Sequence, residues 1–565
     1  MLKILINLYL SWKKKNSKSN KTLLSSDENK ETNNDYIIYL LPELVYITGI
    51  EDDDNPNNRR NNGGNIINKT KMNVSEKMEA INNINKLINS DNHKKIKKKN
   101  GQIIEMKSAK ELIKEWGINI GNNLSFLGRI IPQPQLYFKN NCCIIPKNGI
   151  FKTRSPYKSE SITNDNIFYV YDINERKRNH KDLFTEIMKK FKAKEFNFSS
   201  DFYPHKVCGY GLENTNSWES IDYSLRKIRF NGQEALGIIF CSKKLKKFYG
   251  KIKYFFTQQC HIPTQFLITD NIIDPKKGNS IQFNIVDQIN IKMGGMNYYI
   301  DFESEGIIKS GEVFLIIGLD SITSNKIITY SMTSTNNPEL NSFVTQEETC
   351  EDISSVKNGT LKKMFKTAID QINKISPHCP DYIIIYRQGG NEIHNKILTL
   401  SELGNFTEIL NIYRERYKNN NNYNFRNTKL YYICCNLKSD LKFFETQEYN
   451  KTKEYSNPKS GLIVDNNVTH KNKYEFYLQP QFVNQGIATP CHYQVIYYDK
   501  DENEENNLKI ENLEKLSFYL SFYYWNWAGA IRIPSLLKMT STALGFYTKV
   551  LDNQKSCFFS EPTYI

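Results

Sequence analysis

Short apolar runs bounded by polar turns recur from about residue 200 onward. The runs read LGIIFCS, TQFLITD, EVFLIIGLD, KIITYSM, DYIIIYRQ and LYYICCN. Helices are predicted between them, one studded with lysine at 243–256 and another near 360–375. Runs of four to seven apolar residues are typical of buried strands, and their alternation with helices is typical of α/β layers. The sequence therefore predicts an α/β fold with two successive domains, at about 200–300 and about 301–565.

The first 200 residues and two later stretches have a different character. Four segments rich in asparagine and other polar residues are predicted to be loops, at 13–35, 51–75, 418–425 and 450–460. Between about 76 and 120 the apolar residues Met78, Ile81, Ile84 and Leu87 recur at helical spacing, and a second helix is predicted from Ala109 to Trp116. This segment is predicted to be a connector that packs on a larger body.

The charge balance bears on the partners. The chain has 76 lysines and arginines against 61 acidic residues, a net charge of +15. Such an excess favours polyanions, either nucleic acid or an anionic membrane, although a general bias toward lysine and asparagine would produce it too. Eleven cysteines without zinc-site spacing fit a reducing compartment. The apolar stretch 2–12 is too short to cross a bilayer, and lysines follow it rather than precede it, so we expect a soluble, non-secreted protein of the cytoplasm or nucleus.

Several segments carry a resemblance to a known family. They read LPELVYITG (41–49), LIKEWGINIGNNLSFLGRIIPQP (112–134), IPTQFLI (262–268), NIKMGGMNYYID (290–301), GLDS, IIIYRQGGNE, SGLIVDNNVTHKNKYEFYLQPQFVNQGIATPCHYQVIYYD (460–499) and YYWNWAGAIRIPSLLKM (523–539). In this order they resemble parts of Argonaute proteins, and YWNWxG followed by RIP is similar to the Piwi branch in particular.

The resemblance implies a domain order and a function. It implies a PAZ C-terminal remnant at 1–75, a helical linker at 76–200, a Rossmann-like MID domain at 201–300 and a ribonuclease H-like PIWI domain at 301–565. The chain thus resembles an Argonaute truncated at its N-terminus. The implied partners are a small guide RNA and a complementary RNA target in RNA silencing. We expect a monomer with no membrane partner.

The resemblance also implies a pocket for the guide 5′-phosphate. The matching residues are Tyr249, Lys253, Gln265, Gln288 and Lys292. In the family the tyrosine stacks on the first base, while lysines and glutamine hold the phosphate. Gln288 stands where several Argonautes have lysine, and a bound Mg²⁺ would replace the missing charge. The competing interpretation is that the lysines of 243–256 form only the solvated face of an amphipathic helix.

Cleaving Argonautes hold two magnesium ions, about 4 Å apart, with three acids and a fourth ligand. Asp320 matches the first acid and His492 the fourth ligand, but Gln388 replaces the second aspartate. A neutral amide binds Mg²⁺ far more weakly than a carboxylate. The remaining acid, the glutamate finger, falls on Val356 in an ungapped count, or after a short insertion on Glu351 or, less favoured, on Glu347 or Glu348.

The favoured interpretation is a guide-binding protein that does not cleave. An active endonuclease rescued by Glu351 and Glu392 is the first alternative, with residual Mg²⁺ at Asp320 and His492. A degenerate fragment that binds nothing specific is the second. Without a functional role, Asp320 would only terminate its strand and His492 would be an ordinary core histidine.

Overall fold

A computed structural model describes most of the chain from residue 72 onward. The described residues are 72–89, 94–97, 103–118, 124–175, 179–228, 236–242, 244–324, 326–390, 392–418, 425–449, 452–500, 507–550 and 556–559. The predicted loops at 13–35 and 51–71, and nearly all of the expected PAZ remnant, lie outside these residues. No α-helix within these ranges combines the length and apolar character needed to cross a membrane.

The described α-helices are numbered in chain order. They are α1 (Val74–Ile88), α2 (Ala109–Glu115), α3 (His180–Ala193), α4 (Trp218–Arg226), α5 (Tyr249–Tyr254), α6 (Thr269–Ile272), α7 (Gly278–Lys292), α8 (Ser354–Ile375), α9 (Glu392–Arg416), α10 (Ile510–Leu520) and α11 (Ser535–Val550). The sequence predicted α1, α2 and most of α8 from apolar spacing, and these predictions are confirmed.

The strands are numbered in the same way. They are β1 (Lys94–Lys97), β2 (Ile103–Met106), β3 (Arg129–Ile130), β4 (Leu136–Tyr137), β5 (Cys143–Ile144), β6 (Ile167–Asp172), β7 (Gly209–Leu212), β8 (Leu236–Cys241), β9 (Thr264–Ile268), β10 (Phe314–Ser324), β11 (Ile327–Thr335), β12 (Phe343–Glu351), β13 (Tyr382–Gln388), β14 (Lys429–Asn436), β15 (Glu445–Tyr449), β16 (Thr452–Ser456), β17 (Leu462–Val464), β18 (Glu475–Gln479), β19 (Cys491–Tyr498) and β20 (Ser556–Phe559). Each of the six apolar runs forms a strand, as predicted. The loop expected at 450–460 is wrong in part, because β15 and β16 pair there as an antiparallel hairpin.

Local sequence fixes where the connector helices begin. Asn73 caps α1 by accepting from the backbone N–H of Glu76, whose carboxylate accepts in return from the Asn73 N–H. Ser108 and Glu111 form the same capping box at the start of α2. Each box satisfies backbone donors that would otherwise lack partners at a helix N-terminus.

A four-stranded parallel sheet forms the first α/β layer, in the order β7-β6-β8-β9. Helices α3 and α7 cover one face, and α4 and α5 cover the other. This doubly wound arrangement agrees with the Rossmann-like fold class. The sheet corrects one boundary, since its central strand β6 precedes residue 201, where this domain was expected to begin. Strand β6 and helix α3 were expected to lie in the linker.

A ten-stranded mixed sheet forms the second layer, in the order β20-β12-β11-β10-β13-β14-β19-β18-β17-β3. Strands β10 to β12 form an antiparallel meander, and β13 and β14 then run parallel to β10. Helices α10 and α11 pack on one face, and α8 and α9 pack on the other. This is the predicted ribonuclease H-like arrangement, and it brings the ends of β10 and β13 together.

Candidate functional site

A cavity of about 420 Å³ lies where α5, β9 and the end of α7 meet. Its lining residues are Cys241, Lys246, Tyr249, Lys253, Thr264, Gln265, Phe266, Ile268 and Lys292. Four of the five predicted phosphate-pocket residues are therefore brought together from three separate elements. The fifth, Gln288, is joined to them by a hydrogen bond to Gln265.

The aromatic wall of this cavity is Tyr249, the first residue of α5. Its ring packs edge-on against Phe266, with the centroids 4.5 Å apart, and lies 6.3 Å from Phe546 of α11. The residue is still 40% exposed, and its one-turn spacing from Lys253 places both on the cavity side. Burial raises the pKa of the phenol, so Tyr249 is neutral at physiological pH. It offers a ring that is fixed at its edge and accessible to a base.

A hydrogen-bonded chain of side chains fixes the polar end of the cavity. The Nζ of Lys292 donates to the carbonyl oxygen of Thr264 at 2.9 Å and to Oε1 of Gln265 at 2.7 Å. The Nε2 of Gln265 then donates to Oε1 of Gln288 at 3.0 Å. Gln288 therefore orients Gln265, and Gln265 in turn holds the ammonium group of Lys292 in place.

Two lysines of the cavity are deeply buried. Lys253 and Lys292 are each only 2% exposed. Burial lowers the pKa of Lys253 to about 7. It also lowers the pKa of Lys292 well below its ordinary value, and the neighbouring Lys253 adds to that shift. Two buried basic groups side by side form a strong site for an anion.

The solvated-face interpretation of 243–256 holds only for the outer lysines. Lys244, Lys246, Lys247 and Lys251 are exposed, whereas Lys253 is not. The expected continuous helix is also corrected. Leu245–Phe248 forms a 3₁₀ turn, α5 follows it, and Phe255–Gln259 forms a π turn. These changes of helix type turn Lys253 inward.

Magnesium does not fit this cavity on its own. The residues that line it in the described part of the chain include no carboxylate. Mg²⁺ prefers carboxylate and phosphate oxygens. Amide oxygens beside two basic groups would hold it only if a bound phosphate supplied the charged ligands.

The second predicted site lies at the ends of β10 and β13. Leu319 of β10 pairs with Arg387 of β13. Asp320 and Gln388 are the next residues on these two parallel strands, so they are neighbours. The Oδ2 of Asp320 accepts from the hydroxyl of Ser541 on α11 at 2.8 Å. Its Oδ1 accepts from Nη1 of Arg387 at 3.2 Å. Neither Ser541 nor Arg387 was anticipated as part of this site.

Arg387 is the cation of this cluster. It is 2% exposed and contacts Glu402 of α9 with Nε–Oε2 and Nη2–Oε1 distances of 3.0 Å. The hydroxyl of Tyr432 donates to the same carboxylate at 2.6 Å. Although burial disfavours a charge, Glu402 and then Asp320 raise the pKa of Arg387. The guanidinium is therefore permanently charged, and its one positive charge is shared between Glu402 and Asp320.

Gln388 brings no negative charge to the cluster. Its Oε1 is buried and has no hydrogen-bond partner among the described residues. A second carboxylate at this position would stand beside Asp320. The neutral amide leaves Asp320 as the sole carboxylate on these two strand ends.

His492 does not join Asp320, which corrects the expected ligand pair. Its Nε2 lies 3.2 Å from Oε2 of Glu475, and its ring stacks on Tyr477 with centroids 4.2 Å apart. His492 lies on β19 directly opposite Asn436 of the neighbouring strand β14, and the side chain of Asn436 contacts Asn395 of α9. His492 therefore lies on the α9 side of the sheet, whereas Ser541 approaches Asp320 from α11. Burial lowers the pKa of His492, although Glu475 opposes the shift.

Of the candidate acid positions, Glu351 and Val356 do not complete the cluster, whereas Glu347 is buried in the same register as Asp320, two strands away. Across β11, the register places Glu347 in line with Asp320, and Glu351 lies four residues farther along β12, about 13 Å at the rise of a strand. Val356 is exposed in the first turn of α8. The side chain of Glu392 lies outside the described residues.

Two magnesium ions do not fit this set of donors. Asp320 is a single carboxylate already bound to a guanidinium, and its other neighbours are a neutral amide and a hydroxyl. Two closely spaced dications need several anionic oxygens. Within the described ranges, no three histidine, cysteine, aspartate or glutamate side chains are grouped to hold a metal ion.

Comparison with known proteins supports the fold. Residues 237–544, more than half of the chain, match the family model described as "Piwi domain". Protein argonaute-3 of Drosophila melanogaster is 23% identical over 508 residues, which cover 88% of this chain and 51% of that protein. Piwi-like protein 1 of Gallus gallus is 23% identical over 513 residues, with 88% and 52% covered. The chain spans about half the length of the curated relatives it matches.

Solved structures show the same architecture. The crystal structure of Drosophila Piwi matches with a TM-score of 0.65 and 18% identity, covering 90% of this chain and 64% of that one. The structure of Kluyveromyces polysporus Argonaute with a guide RNA matches with a TM-score of 0.56 and 16% identity, covering 74% and 52%. At these identities the likeness concerns the fold.

Proposed function

Because this chain belongs to the family of proteins with a Piwi domain, we propose that it anchors the 5′-phosphate of a small guide RNA in the cavity of Tyr249, Lys253, Gln265 and Lys292. The guide pairs with a complementary RNA target, and base pairing supplies the sequence specificity. The protein contributes contacts to the backbone and recognises the shape of the duplex. Its role is in RNA silencing.

The composition of the cavity carries this proposal. Lys253 and Lys292 are buried side by side without a carboxylate among the described lining residues, an arrangement that disfavours an empty pocket and favours a bound anion. The amide of Gln265 adds a polar contact, and Tyr249 adds a ring for the first base. A terminal phosphate followed by a nucleobase matches that combination of groups.

We further propose that the protein binds its target without cleaving it. Gln388 is neutral, Asp320 is held by Arg387, and a hydroxyl rather than an imidazole contacts its second oxygen. Mg²⁺ would be bound only together with the guide phosphate. The cluster around Asp320 serves to join β10, β13 and α11.

Competition between two RNAs tests the anchoring. One carries a 5′-monophosphate and the other a 5′-hydroxyl, with identical sequence and salt. Each charge-assisted hydrogen bond contributes about 1.5–3 kcal/mol, so loss of the phosphate should weaken binding at least about tenfold. Equal affinity for both ends contradicts the assignment. A labelled matched target in Mg²⁺ tests the second part, since a discrete product would identify an endonuclease.

A further inference from the structure

We propose that the cavity takes up at least one proton from solution when it binds a 5′-phosphate, with Lys292 as the main acceptor, so that guide binding depends on pH. The proposal rests on the proposed function and describes the regulation of the same cavity. It concerns the state of the pocket before the guide arrives.

The hydrogen bonds of Lys292 are the first observation. Its Nζ donates to two oxygens, the carbonyl of Thr264 and Oε1 of Gln265, and both acceptors are neutral. A neutral amine has two N–H groups, and two are enough for these bonds. Only the ammonium form has a third N–H, and both of these acceptors are already bonded to the other two. The residue is 2% exposed, so a charge there is hydrated far less than at the surface.

The groups that surround Lys292 are the second observation. The titratable lining residues are Cys241 of β8, Lys246 of the 3₁₀ turn, and Tyr249 and Lys253 of α5. Strand β9 supplies the hydroxyl of Thr264 besides amide, carbonyl and apolar groups, none of which titrates, and α11 contributes the ring of Phe546 against Tyr249. Burial raises the pKa of the Cys241 thiol to about 11 and raises that of Tyr249, so both are neutral at physiological pH. Lys253 disfavours a second positive charge beside it. The described lining thus offers Lys292 no anion.

The phosphate changes this balance. A phosphate monoester is largely a dianion above its second pKa of about 6. Its charge favours the ammonium form of Lys292, which takes one proton from the buffer and directs its third N–H to a phosphate oxygen. The amine gains an N–H bond, the buffer acid loses the same proton, and no bond between heavier atoms changes. Above the pH at which the empty pocket loses that proton, each further pH unit should weaken phosphate binding by about tenfold, until the bound lysine titrates as well.

Calorimetry of the whole chain measures the proton directly. Phosphorylated RNA is titrated at pH 8 in HEPES and in Tris, because inorganic phosphate would compete for the cavity. The dependence of the binding enthalpy on the ionisation enthalpy of the buffer gives the number of protons taken up. We expect one to two protons for the 5′-phosphate, one at Lys292 and up to one more at Lys253, whose pKa in the empty pocket is about 7, and close to zero for the 5′-hydroxyl RNA of the same sequence.

Two variants locate the proton. Lys292→Met should lower the uptake by about one proton and weaken the dependence of affinity on pH, leaving only the contribution of Lys253. Lys251→Met is the matched control, because Lys251 is an exposed lysine of α5 whose ammonium lies over Trp218, outside the cavity. It should keep the uptake. Methionine in place of a buried lysine removes a desolvation cost, and thermal unfolding checks that the variant folds.

The outcomes separate the two proposals. A preference for the phosphate without proton uptake means that Lys292 is already charged in the empty pocket, which overturns this inference and leaves the anchoring function intact. The same number of protons taken up by Lys292→Met and by the natural chain overturns the assignment to this residue. The absence of any phosphate preference between pH 6 and 9 overturns the anchoring function itself.

Discussion

The ion pair between Arg387 and Glu402 allows a sharp test of the cluster around Asp320. The substitution is Glu402→Gln, which keeps the size of the side chain and its acceptor oxygen but removes the charge. Arg387 then retains only Asp320, at 3.2 Å, as an anionic partner. Both members of the original pair are almost fully buried, at 2% and 1% side-chain exposure.

The size of the effect follows from that burial. Removal of one partner from a buried ion pair costs about 3–5 kcal/mol, because the other charge stays buried without compensation. Asp320 retains part of the compensation here, so the lower end of that range is expected. For a domain of this size, each kcal/mol lowers the melting temperature by about 2 °C, so a fall of roughly 6 °C is predicted.

The matched control makes the same substitution on the same helix. Glu408 lies on α9 and pairs with Lys362 at 2.7 Å, but its side chain is 56% exposed. An exposed ion pair contributes less than about 1 kcal/mol, so Glu408→Gln should change the melting temperature little. Thermal unfolding followed by circular dichroism compares the variants. If Glu402→Gln melts within a degree of Glu408→Gln, the guanidinium does not depend on its buried partner and the reasoning is refuted.

Three further predictions follow from the same geometry. Gln388→Asp should yield no cleavage of a guide-matched target in Mg²⁺, because Asp320 stays bound to Arg387 and Ser541 supplies only a hydroxyl; a discrete product from this variant contradicts this. Tyr249→Ala should weaken phosphorylated and hydroxyl RNA alike, by roughly 1–3 kcal/mol, since a stacking ring serves both ends; a selective loss for one end is the contrary result in filter binding. Burial raises the pKa of Glu514 from 4.5 to about 7, so its protonated form stabilises the fold at low pH, and that stability is lost as pH rises through 7. Between pH 5 and pH 8, the unfolding free energy of Glu514→Gln should rise by roughly 3 kcal/mol relative to that of the natural chain. If the difference between the two proteins is the same at both pH values, this prediction is contradicted.

The fold was largely predictable because its strands are buried on both faces. Apolar runs such as EVFLIIGLD and DYIIIYRQ have few alternatives to a central strand, and both form one. The boundary near residue 200 was less predictable, since the run IFYVYD of β6 was assigned to the linker. The hairpin of β15 and β16 escaped prediction because polar residues dominate both strands.

The sequence predicted the residues of one candidate site better than those of the other. The resemblance to Argonaute proteins predicted that the cavity residues converge, and spacing alone indicated only that Tyr249 and Lys253 share one face of a helix. The cluster around Asp320 could not, because its partners come from distant elements. His492 stands in a segment of the right type, yet strand alternation turns it to the α9 side and toward Glu475. Ser541 follows the RIPSLLKM block along α11, and only the packing of that helix on β10 shows that it contacts Asp320.

The most direct test of the account is a structure of the chain bound to a 5′-phosphorylated RNA. The account predicts the terminal phosphate inside the cavity, with its oxygens within hydrogen-bonding distance of Nζ of Lys292 and the amide of Gln265, and the first base against the ring of Tyr249. RNA bound with its 5′ end outside this cavity, or with the cavity closed to the phosphate, would contradict the central claim.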